Sequence, residues 1–146
     1  MHDKVRDVIY YLVNKLGFIE SRTKLVKLLY LADVEAKNKT GNTITGLTYV
    51  YHFYGPYSPQ IIETALEMDG EEIKEIYNPY FERYEYVKGE QDRDIKLTEE
   101  EIKVLEEIIE EYGKLGTNDI KERAYQTEPM KTAKPGEVIK IYLTAT

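Results

Sequence analysis

Ser21-Arg-Thr-Lys24-Leu-Val-Lys27-Leu-Leu-Tyr30-Leu-Ala-Asp33-Val-Glu-Ala-Lys37 is the stretch on which the fold turns. Ser21 suits an N-cap and the cluster Lys39-Thr40-Gly41-Asn42 suits a stop, so a helix is predicted from Ser21 to about Lys37. At about 100° per residue, Lys24, Lys27, Leu31, Glu35 and Asn38 share one narrow stripe, and Asp33 lies about 180° from Lys24, amid Val26, Leu29 and Tyr30. A helix this apolar on most of its circumference is enclosed by its neighbours, and Asp33 points inward. A buried carboxylate needs hydrogen bonds or a cation. Lys37, one turn on, is the nearest candidate; His52 and the hydroxyls and amides of the turn Tyr54-Gly55-Pro56-Tyr57 are the others. Either this cluster only pins the helix to a strand and turn, or it also opens on a partner groove.

Outward from this helix the pattern is regular. Val5, Val8, Ile9, Leu12, Val13 and Leu16 form the stripe of a first helix from Asp3 to Leu16, ended by Gly17. Thr48 to Tyr54, rich in aromatic and β-branched residues, predicts a strand broken by Gly55-Pro56. Ser58-Pro59 then starts a helix that stops near Gly70. Short apolar pieces at Ile73 to Tyr77, Phe81 to Val87 and Ile95 to Leu97 predict a small antiparallel sheet. Thr98 to Glu101 is a capping box opening an acidic helix to about Tyr112, with Ile102, Leu105, Ile109 and Tyr112 on its apolar side. A shorter helix from Asn118 to Tyr125 and a closing strand from Val138 to Leu143 complete the chain. The sum is an α+β fold, a predominantly helical single domain over residues 1–146 with a small antiparallel β-sheet.

Composition narrows the function classes. The longest apolar run, Val8 to Val13, is far short of the roughly 20 residues that span a bilayer, so no membrane is implied. Mixed charges at the N-terminus and the absence of Cys point to a cytoplasmic protein without disulfides. Twenty Glu and 15 Lys against three Gln and five Asn suggest a thermophile. Net charge is −7, with residues 1 to 60 at +3 and the rest at −10, which disfavours nucleic acid as a partner.

The parts of an enzyme are scarce. The serines are Ser21 and Ser58 and the histidines His2 and His52; only His52 and Ser58 could pair, with no small-residue elbow to expose the hydroxyl. One internal His and no Cys disfavour zinc, and no Gly-rich phosphate loop occurs. Asp33-Val-Glu35-Ala-Lys37 imitates a nuclease triad in letters, but on a helix residues two apart diverge by about 200°. No catalytic residue, metal or cofactor is therefore expected. Tyrosine is the anomaly: 14 Tyr, no Trp and three Phe, with nine Tyr between Tyr30 and Tyr86. Tyr49 and Tyr51, with Phe53, share one face of the expected strand. They serve either a wet-edged core or a protein-binding surface.

Lys27-Leu-Leu-Tyr-Leu-Ala-Asp33, the turn with Gly41, Ile44-Thr-Gly46-Leu-Thr-Tyr49, Tyr54-Gly-Pro-Tyr57 and the helix begun by Pro59 resemble, in order and spacing, the Panacea domain of SocA-like antitoxins. A weaker echo follows at Ala124 to Pro129 and Lys134 to Ile139, with Met130 departing from the aromatic frequent there. The resemblance implies a non-enzymatic domain that neutralises a cognate toxin protein by direct contact, or an adaptor with a protease or chaperone as further partner. The site carried over is Asp33, Lys37, Tyr49, Tyr51, Tyr54, Gly55, Pro56 and Tyr57. Two other readings stay open. One is a winged-helix-like DNA-binding protein contacting phosphates through Lys15, Arg22, Lys24, Lys27, Lys37 and Lys39. The other is a phage or mobile-element accessory protein without a toxin.

Overall fold

In the computed structural model of the protein, residues 3–141 are described; His2 and the expected strand residues Tyr142 and Leu143 lie outside that range. The helices are α1 (Lys4–Leu16), α2 (Arg22–Thr40), α3 (Pro59–Met68), α4 (Glu99–Tyr112), α5 (Thr117–Tyr125) and α6 (Glu128–Thr132). The strands are β1 (Phe18–Ile19), β2 (Tyr49–His52), β3 (Gly55–Tyr57), β4 (Ile73–Asn78), β5 (Arg83–Lys88) and β6 (Val138–Ile139). The architecture is α+β and predominantly helical, and the strands form two antiparallel three-stranded sheets, ordered β1-β5-β4 and β3-β2-β6.

Helix α2 is the axis. Every residue from Lys24 to Val34 is buried, and α1, α3, α4, α5 and strands of both sheets pack around it. Its ends are locally determined: the Ser21 hydroxyl accepts the Lys24 N–H at 3.0 Å, and Gly41 closes the helix with φ +87°. The helix runs about one turn past Lys37, because the Thr40 hydroxyl and the Gly41 N–H bond to the carbonyls of Ala36 and Lys37. Each fully buried Leu along it contributes roughly 1.5–3 kcal/mol relative to exposure.

The first helix and the capping box form as the sequence predicts, with Asp3 capping α1 and Thr98 and Glu101 bonding reciprocally at the start of α4. The buried line of α4 is Val104, Leu105 and Ile108, one step round from the expected side, with Ile102, Ile109 and Tyr112 at its margins. Other details differ: β1 and α6 have no counterpart in the sequence reading, and the closing strand ends at Ile139. Ile95 to Leu97 is irregular, not a strand; there the Lys96 N–H caps the buried Asp7 carboxylate at 3.0 Å. Ser58 occupies the N-cap of α3 without a side-chain capping bond. Gly55-Pro56 not only ends β2 but returns the chain as β3, His52 lying opposite Gly55.

Candidate functional site

The Asp33 carboxylate is fully buried, and its four hydrogen bonds all come from the segment that follows α2. Oδ1 accepts the N–H groups of Ile44 (2.9 Å) and Thr45 (3.0 Å); Oδ2 accepts the hydroxyls of Thr45 (2.5 Å) and Tyr49 (2.8 Å). Burial raises the Asp33 carboxyl above its ordinary value, against these hydrogen bonds, which favour the anion. Burial, and then the neighbouring Asp33 charge, hold the Tyr49 hydroxyl well above the usual tyrosine range, so the proton stays on Tyr49. Tyr49 also meets Tyr30 edge to face, ring centroids 5.2 Å apart. The expected tethers of Asp33 are thus replaced: neither Lys37 nor the Tyr54–Tyr57 turn is among its partners, because the loop after Gly41 folds straight back over it.

The turn is held instead by Lys27. Its Nζ donates to the Pro56 carbonyl at 2.8 Å from a side chain that is only 1% exposed. Gly55 makes the hairpin possible, since its φ of +95° takes the left-handed conformation and frees the two tip residues, Phe53 and Tyr54, to be bulky. Phe53 is 84% and Tyr54 60% exposed, with the Lys121 ammonium 5.0 Å from the Tyr54 ring centre. Below the hairpin lies a cleft of 410 Å³ walled by Val26, Tyr54, Tyr57 and Ile62, with Arg22, Lys27 and His52 among its polar lining.

A family model described as antitoxin SocA-like, Panacea domain, matches residues 25–129. The chain belongs to the Panacea-domain family. The matched stretch runs from α2 to the start of α6 and contains the Asp33 clamp, the Lys27 tether and both hairpins of this Panacea domain. Comparison with curated proteins and with solved structures found no match.

The residues singled out in the sequence fall into separate places on the Panacea fold. Asp33 and Tyr49 form the buried clamp, so Tyr49 is no surface anchor. Tyr54, Gly55, Pro56 and Tyr57 build the hairpin and cleft, with Gly55 and Pro56 buried and Tyr57 half-buried. Tyr51 turns the other way, against Tyr125 at 5.9 Å. Lys37 sits ten residues beyond Lys27, about 15 Å along α2, away from the hairpin. His52 is exposed, meeting Phe53 edge to face at 4.9 Å and Tyr57 at a tilt at 5.4 Å, and is not a partner of Asp33. Lys24 and Lys27, two of the lysines a DNA-binding reading requires, point inward; Lys24 Nζ donates to the Gly113 carbonyl at 2.8 Å.

Sequence reasoning missed a second aromatic group, on the β4–β5 hairpin. Tyr80 is 85%, Phe81 57% and Tyr77 49% exposed. Tyr77 and Tyr84 face each other across the strands, with rings 5.1 Å apart. Arg22 connects the two regions: it lines the cleft, stacks on Tyr84 at 3.9 Å and pairs with Glu75 at 2.6 Å.

Burial, and secondarily the Lys121 charge, push the Lys27 ammonium down from the ordinary 10.5 to about 7. Between those values the unfolded chain holds a proton that the folded chain has shed, so this group's destabilising effect is absent above 10.5 and grows as pH falls, becoming full below about 7. Lys27→Met removes that dependence. Urea denaturation from pH 7 to 10 should show wild-type stability rising relative to the variant by up to about 1.4 kcal/mol per pH unit. Parallel pH profiles would show that Lys27 keeps its proton in the fold.

Proposed function

We propose that this chain acts as an antitoxin: it binds a cognate toxin protein by direct contact through the β2–β3 hairpin and the cleft beneath it, and performs no chemistry of its own. The observation that carries this reading is the pair of exposed aromatics, Phe53 and Tyr54, held outward on a turn that a buried lysine fixes from below. Aromatic anchors on a pre-organised turn lose little conformational freedom on binding, and a few such residues carry most of the energy of an interface. A stable complex buries about 1,200–2,000 Å² in total, so the hairpin alone is too small. The aromatics of the β4–β5 hairpin, reached through Arg22, extend the surface. Membership in the antitoxin SocA-like family supports a protein partner. Adaptor use with a protease or chaperone would employ the same surface.

The test is co-expression with the product of the neighbouring reading frame, which should be toxic alone and should copurify with this chain. Replacing Phe53 and Tyr54 together by Asp should raise Kd at least 100-fold and restore toxicity while leaving Tm within about 2 °C, because both side chains are exposed. A harmless, non-binding neighbour, or binding unchanged in the double variant, would remove this reading.

A further inference from the structure

We infer that the cleft under the β2–β3 hairpin receives an acidic side chain of the protein bound there, its carboxylate meeting Lys27 while the flanking apolar residues pack on Val26, Tyr57 and Ile62. The inference rests on the protein-binding reading above and names the chemistry at its centre. Its first support is charge. The chain carries 27 Asp and Glu among 146 residues, yet none lines this cleft, which holds Arg22, Lys27 and His52. The second is an incompletely committed cation. An ammonium has three N–H donors, and Lys27 directs one to the Pro56 carbonyl. Arg22 is already paired with Glu75. One cation held by a neutral carbonyl, beside apolar walls, matches a carboxylate on a hydrocarbon stem better than a phosphate dianion. Lys27 is already desolvated, so a pair formed there is screened far less than one in water.

Proton linkage gives the site a signature. Among the described residues, the groups facing Lys27 are Arg22 on its own helix, His52, Tyr54 and Tyr57 on the hairpin, and Lys121 and Tyr125 on α5, while α3 contributes the apolar Ile62. An incoming carboxylate offsets the Lys121 repulsion and holds the proton on Lys27, so binding takes up protons. With Lys27 near pH 7 in the free protein, affinity should fall about tenfold per pH unit above that point.

The probes are capped peptides, acetyl-Leu-Glu-Leu-amide and its Gln counterpart, titrated calorimetrically into the full chain. The Glu peptide should bind at least tenfold more tightly at pH 6.5, with the advantage shrinking toward pH 9 and vanishing in Lys27→Met. If that variant does not fold, His52→Asp, at an exposed position on the cleft rim, should weaken the Glu peptide about tenfold more than the Gln peptide. Equal affinities for the two peptides, or tighter binding of inorganic phosphate, would overturn the inference. So would a Gln peptide with a free C-terminus matching the Glu peptide, which would reassign the cleft to a chain end. A failed toxin capture would sink the antitoxin reading alone and leave this comparison intact.

Discussion

Asp33→Ala should destabilise the protein by about 3–5 kcal/mol, the effect expected when a buried charge network loses its centre. The alanine leaves two backbone amides, of Ile44 and Thr45, and two hydroxyls, of Thr45 and Tyr49, facing a small void where water is excluded. The hydroxyls can rotate toward other acceptors; the amides are fixed by the chain, so most of the loss lies there. Asp33→Asn separates the contributions. Its carbonyl oxygen can still serve both amides while its NH2 turns to hydroxyls that can accept, so only the charge-assisted part is lost, about 1–2 kcal/mol. Tyr49→Phe removes a single bond and should cost about 1.5–3 kcal/mol. A domain has roughly 5–15 kcal/mol in hand, so the alanine variant should unfold at much lower urea and lose protection of the 42–49 amides first. An alanine variant with the wild-type midpoint would show that the loop over α2 is held by packing instead.

The burial of Asp33 was legible in the sequence because helical periodicity is local: nine positions from Lys24 place it on the inner side. Its partners were not legible, since the segment from Ile44 to Tyr49 carries no periodic signal and reaches Asp33 only because the chain reverses at Gly41. A hint was present all the same. A chain that turns immediately after a helix brings its next amides back over the last turns of that helix, and Thr45 offers both an amide and a hydroxyl for an acceptor there.

The partners of Lys24 and Lys27 were hidden for a different reason. The two lysines share a narrow polar stripe of α2, and only the DNA-binding reading needs them in water, although α2 has no polar face wide enough to keep them there. A buried lysine is tolerated where a carbonyl receives it, and those carbonyls, of Pro56 and Gly113, belong to elements 29 and 89 residues away. The same limit hid the hairpin. Gly55-Pro56 reads as a stop because strand pairing is a long-range choice, whereas the caps of α1, α2 and α4 depend on three or four neighbouring residues. Hence the five longer helices and their order were legible, while α6, β1, the division into two sheets and the floor of the cleft were not.

The irregular segment before α4 carries the second large effect. Arg93 reaches three places at once: Nε bonds Asp7 Oδ1 at 2.8 Å, and the two terminal nitrogens bond Glu72 Oε2 and the Asp3 carbonyl, each at 3.2 Å. Asp7 is fully buried and Glu72 nearly so, which makes the guanidinium the bridge between two carboxylates that would otherwise repel. Arg93→Met keeps much of the stem and removes the charge. The Lys96 amide still caps Asp7, and Arg6 lies 4.0 Å from Glu72, but the buried Asp7 carboxylate loses the Arg93 guanidinium, so about 3–5 kcal/mol should be lost in urea denaturation. Replacing Asp7 by Leu in the same chain tests the cause. If the loss comes from a buried carboxylate deprived of the Arg93 charge, the double variant should recover 1 kcal/mol or more of the single variant's deficit, since apolar replacements of a buried pair are often neutral. A double variant weaker than Arg93→Met would mean that the Lys96 amide and the turn it anchors, not the Asp7–Arg93 ion pair, set the stability of this corner.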